Sequence, residues 1–129
     1  MCKNTTELST KHFDYFQVVC NQWISKFGLF NWRYHFEFVD REPNFRATIN
    51  SDVEAKIALI ELEQFWNGTL KDDEIYKELE YVALHEILHS VFAQMLSTAQ
   101  SHPNDYELLN RDEHGVIMQL TNLLMEGSN

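Results

Sequence analysis

The order of periodic segments in the chain predicts an α+β fold: an N-terminal helix, a small sheet of about three largely antiparallel strands, a long helix and a C-terminal helix. Three observations carry that prediction. Residues 10–27 repeat apolar side chains every three or four positions, residues 31–40 alternate strictly, and residues 72–97 return to the helical period. With 129 residues, 44% of them hydrophobic, the chain is the size of one domain with its own core. No repeat, low-complexity tract or linker divides residues 1–129.

The first helix buries Phe13, Phe16, Cys20, Trp23, Ile24 and Phe27 on one face. Ser9 or Thr10 caps it and Gly28 stops it. In "NWRYHFEFVD" (31–40), Trp32, Tyr34, Phe36 and Phe38 alternate with Arg33, His35 and Glu37, as in a half-buried strand. "REPN" is a turn signal, and "FRATIN" (45–50) is expected to pair back on the first strand. "EAKIALIEL" (54–62) reads as a third strand, with a short helix as the alternative. "WNGT" (66–69) reads as a turn. The long helix follows from about Asp72 to Ser97, then the loop "TAQSHPND", and a last helix from 105 or 110 to 125.

Composition narrows the function classes. The chain has 20 acidic and 10 basic residues, a net charge of −10, and no cluster of Lys and Arg, so nucleic acid is not an expected partner. No apolar run is long enough to span a membrane, and the first residues lack the apolar segment of a signal peptide. Two cysteines, Cys2 and Cys20, are too few for a disulfide framework, and a cytoplasmic location is expected. An acidic surface also fits a basic partner, which keeps a binding protein open as an alternative to an enzyme.

The chemistry concentrates in "LEYVALHEILHSVFAQML" (79–96). His85, Glu86 and His89 form H-E-x-x-H. Residues four apart project side by side on a helix, so two imidazoles can share one Zn²⁺, and the intervening carboxylate can reach a metal-bound water. At about 100° per residue, His85, His89, Tyr81, Val82, Phe92 and Leu96 share one stripe, with Ala83, Ser90 and Gln94 opposite. The histidines are therefore expected to point into the core. Two imidazoles and a carboxylate in an apolar stripe are costly without a partner, and a metal supplies one; hydrogen-bonded core histidines are the competing explanation.

A catalytic zinc site takes three protein ligands and leaves one position for water. Downstream, His102, Asp105, Glu107, Asp112, Glu113 and His114 are the candidates. On the last helix Glu113 shares the apolar face of Ile117, Leu120 and Leu124, which makes it the expected third ligand. Two alternatives stand beside it. Glu113 can instead close a capping box with Asn110, and His114 can be the ligand.

These residues resemble the zincin metallopeptidases of the gluzincin type, with H-E-x-x-H on one helix and a glutamate on the next: His85, Glu86, His89 and Glu113. With its short length and the strand "NWRYHFEFVD", the chain is also similar to small metallopeptidase-like proteins of phages and prophages. The glutamate ahead of "LLM" (123–125) is similar to the last helix of the ImmA/IrrE-type phage regulators, although the proline usual there is missing.

The resemblance implies a minimal zincin-like domain. Its sheet edge would bind an extended peptide or protein substrate, Zn²⁺ would sit on His85, His89 and Glu113, and Glu86 would be the general base. It also implies a His or Tyr beside the oxyanion, for which His102, Tyr106 and His114 are the candidates. The alternative is an acidic regulatory or binding protein that keeps a structural or vestigial zinc and cuts nothing.

Overall fold

A computed structural model describes residues 4–41, 44–99, 117, 121, 124 and 125. In chain order these form β1 (Thr5–Glu7), α1 (Thr10–Lys26), β2 (Arg33–Val39), β3 (Ala47–Asp52), β4 (Ile57–Glu63), β5 (Phe65–Asn67) and α2 (Asp72–Ala99). The fold is α+β, as expected. Residues 117, 121, 124 and 125 are helical, within the span expected for the last helix.

Helix α1 begins and ends where its sequence signals stand. Ser9 is the extended N-cap residue, and its backbone N–H donates to Nδ1 of His12 at 2.9 Å, a capping interaction in which histidine replaces the usual glutamate. At the other end Gly28 takes a positive φ of 68°. Its N–H donates to the Ser25 carbonyl and that of Leu29 to Ile24, the paired bonds of a Schellman ending. Nε2 of His12 lies 2.9 Å from Oδ1 of Asp72, so the starts of the two helices are tied together.

The three-stranded sheet has the order β2-β4-β3. β4 runs parallel to β2, with Phe36 opposite Ile60, and antiparallel to β3, with Ile49 opposite Ile60. This corrects the expected pairing of "FRATIN" with the first strand: β4 inserts between them. Ile60 and Leu62 are fully buried, and β4 is flanked on both sides, the position its apolar run suits. Among the described residues β3 is an edge strand.

A second, two-stranded sheet pairs β1 with β5 antiparallel, Thr6 opposite Trp66. "WNGT" is therefore a strand end as well as a turn, and only Gly68, at φ 95°, serves as the bend. Three-residue strands are too short to show an alternating pattern. Thr6 secures the chain beyond that bend: its hydroxyl donates to the Gly68 carbonyl at 2.7 Å and accepts the Leu70 N–H at 2.9 Å.

Side chains of one sheet face, including Tyr34, Phe36, Phe38, Ile49, Ile60 and Leu62, pack with Phe16, Val19 and Cys20 of α1 and Leu79, Val82, Ala83 and Ile87 of α2. A second cluster joins Leu84, Leu88 and Phe92 of α2 to Ile117, with Trp23, Phe27, Leu124 and Met125 around it. Helix α2 is thus covered on more than one side, which explains its apolar residues all round.

Candidate metal centre

Helix α2 starts with Asp72, Asp73 and Glu74, acidic side chains that suit the positive end of its dipole. Three turns on, Tyr81, His85 and His89 follow one another at intervals of four, all half-buried. Their side of the helix lies between Val82, which belongs to the sheet-side cluster, and Phe92, which belongs to the second cluster. The histidines therefore sit at the seam of the two cores.

This corrects the expected orientation of the helix. The buried side is that of Ala83, Ile87 and Ser90, all with no exposed surface, while the histidines face the more open side. Small residues let α1 and the sheet approach α2 closely there. A helical wheel ranks residues by hydrophobicity and does not see which face gets covered. Ser90 is held on that buried side, its hydroxyl 2.9 Å from the Tyr34 hydroxyl of β2.

The ligand atoms of His85, Glu86 and His89 all lie within 4.8 Å of one another, and among the described residues they are the group able to hold a metal ion. The two imidazole rings are 4.9 Å apart, edge to face at 74°, and Tyr81 stacks near His85 at 6.2 Å. Two nitrogens on one tetrahedral ion stand roughly 3.4 Å apart, a spacing that small side-chain rotations reach from here. Two neutral imidazoles and one carboxylate are a donor set that suits a borderline divalent cation.

Glu86 is 7% exposed, and burial pushes its carboxyl from the ordinary 4.5 up to about 8. Cys20 of α1 stands close enough to feel it. That thiol is pushed well above its usual value, by burial first and by the Glu86 charge second. Burial also raises the Tyr34 hydroxyl, against the lowering effect of its bond to Ser90.

β3 runs alongside α2 in the same direction and forms the opposite wall of a groove. One hollow, of about 270 Å³, is lined by Asn44, Phe45, Arg46 and Ala47 against Tyr81, Val82, His85 and Glu86. The next, of about 340 Å³, has Phe45, Ala47, Thr48 and Ile49 against His85, Glu86 and His89. The Glu63 N–H donates to the Arg46 carbonyl at 2.9 Å, and the ladder alternates from there. Residues 46, 48 and 50 therefore bond β4, while the N–H and C=O groups of Ala47 and Ile49 point away from β4, toward an edge that no other described strand pairs with.

Sequence reasoning found His85, Glu86 and His89 and missed this facing wall. The alternation of Ala47 and Ile49 with Thr48 and Asn50 was the available signal, but it does not say which helix the strand will face. Glu113, His114, His102 and Tyr106, expected as ligand or oxyanion partners, lie outside the described residues.

Among the described residues no helix is long and apolar enough to cross a membrane. Compared with protein-family models, with curated proteins and with solved structures, the chain matches none.

Proposed function

We propose that the protein is a zinc-dependent metallopeptidase, with His85 and His89 as metal ligands, Glu113 as the third, and Glu86 as general base. The observation that carries this reading is the convergence of the His85, Glu86 and His89 ligand atoms within 4.8 Å. They line a groove whose other wall is β3, an edge strand among the described residues.

Peptide hydrolysis needs a water oxygen to bond the carbonyl carbon, the C–N bond to break, and a proton to reach the leaving nitrogen. When bound, zinc supplies the Lewis acidity that acidifies the water and polarises the carbonyl. Glu86 takes the proton of the attacking water and passes it to the nitrogen. Its burial raises its proton affinity, the property a base working near neutral pH requires. The open groups of Ala47 and Ile49 hold the substrate as an added extended strand, with main-chain bonds that any peptide can make.

The acidic balance of the chain, 20 acidic against 10 basic residues, favours one second reading, a binding protein that keeps the metal for structure. One comparison separates the two. Untagged wild type and Glu86→Gln are assayed for zinc and for cleavage of a diverse peptide pool. Zinc in both and cleavage by wild type alone is the expected result. Zinc in both with no cleavage by either selects the binding reading, and no zinc in either rules out both.

A further inference from the structure

We propose that Arg46 recognises the free C-terminal carboxylate of the substrate, so that the enzyme removes residues from the C-terminal end of peptides and does not cut them internally. This rests on the metallopeptidase reading and adds a substrate class to it.

Among the described residues lining the two hollows, Arg46 is the one Lys or Arg. It stands at one end of the groove, beside Tyr81 and Val82, one turn of α2 before His85. Two contacts hold it there. Its Nη1 pairs with Glu78 of α2, and its guanidinium lies 5.0 Å from the ring centre of the buried Trp66. A guanidinium has five N–H donors, so one bond to Glu78 leaves others for a second carboxylate in its bidentate geometry. A side chain already fixed in place also gives up little rotamer freedom on binding.

Strand direction decides which end of a peptide arrives there. β3 and α2 run the same way, so Ala47 and Arg46 face Tyr81 and Val82, whereas Ile49 faces His89. A peptide added antiparallel to the open edge of β3 enters at Ile49 and ends at Arg46. Antiparallel pairing is the more stable arrangement per residue. The C-terminal side of the scissile bond then lies toward the guanidinium. One strand residue rises about 3.3 Å and one helical turn about 5.4 Å. That leaves room for roughly one or two residues between the metal group and Arg46, the spacing of an exopeptidase. A peptide bound the other way would bring its ammonium to Arg46, and an ammonium has no acceptor for the guanidinium's N–H groups.

The test uses one peptide made twice, as free acid and as C-terminal amide. Zinc-loaded wild type should release one or two C-terminal residues from the acid and act at least about tenfold more slowly on the amide. Arg46→Gln should bring the acid-to-amide ratio close to one, and Arg46→Lys, which keeps the charge without the fork and serves if the first variant folds poorly, should lower it several-fold.

Binding of the two peptides to zinc-loaded Glu86→Gln gives a readout without turnover. It should show the same preference, lost in Glu86→Gln/Arg46→Gln and reduced in Glu86→Gln/Arg46→Lys. If wild type cleaves nothing yet the Arg46-dependent binding preference persists, hydrolysis fails and carboxylate recognition stands. Equal cleavage of acid and amide at internal bonds, equal binding of both, or a preference that survives undiminished in Arg46→Gln overturns the proposal.

Discussion

Two places in the molecule bury glutamates, and they treat them differently. On the outer face of the sheet, Glu61 and Glu63 of β4 are only 6% and 5% exposed. Oε2 of Glu61 lies 2.7 Å from the Arg41 guanidinium, and Oε1 of Glu63 accepts the Arg41 backbone N–H at 3.0 Å. Those carboxylates fasten the segment after β2 onto β4. Glu86 is buried to the same degree between two histidines, and burial stands as the one cause of its raised pKa, with no offsetting cation among the described residues. One region spends its buried carboxylates on structure. The other leaves a carboxylate poised for proton transfer or for a cation on its neighbours.

The largest expected effect breaks the second region. Glu86→Gln keeps shape and burial but removes the proposed base, and should lower peptide hydrolysis by about 10²- to 10⁴-fold with zinc content unchanged. Parallel loss of zinc would mean that Glu86 holds the metal and is not a base acting beside it.

Next in size is the pH response of the metal-free protein. The unfolded Glu86 carboxyl ionises near 4.5, while the folded one keeps its proton until about 8. Between those values the unfolded state binds fewer protons, so this group makes stability fall as pH rises, by a few kcal/mol at most, and adds no further slope above. Denaturant titrations from pH 4 to 9 should show that slope in wild type and its loss in Glu86→Gln. An identical slope in both places its origin elsewhere.

The first region gives a smaller, purely structural effect. Arg41→Met leaves Glu61 buried beside a neutral side chain. Because the Arg41 side chain is 62% exposed, a loss of about 1–2 kcal/mol is expected, read as a lower denaturant midpoint. Smallest is Tyr34→Phe, which removes the hydroxyl partner of the fully buried Ser90 and should cost about 1 kcal/mol. A loss above about 3 kcal/mol would show that this bond holds β2 to α2 more firmly than one hydrogen bond does.

The legible part of the fold was the part written in local periods. His85, Glu86 and His89 could be placed together because i and i+4 are neighbours on any helix. Ser9 and Gly28 marked α1 because caps are local too. The pairing of β3 was not legible: whether it meets β2 or β4 depends on contacts far apart in sequence, and both arrangements satisfy the same alternation. The inward side of α2 differs from the expected one for a related reason. Ala83 and Ser90 look like a weakly apolar face, yet their small size is what lets the neighbouring elements pack there. Arg46 gave no local signal, since only the position of β3 against α2 brings it to the groove.

The proposed site stands or falls on whether His85 and His89 share a metal. Elemental analysis of untagged wild type and of His85→Ala tests it most directly. One zinc per chain is expected in wild type, little or none in the variant, and a melting temperature that chelator lowers only in wild type. Wild-type protein without zinc, and with a melting temperature indifferent to chelator, would contradict it.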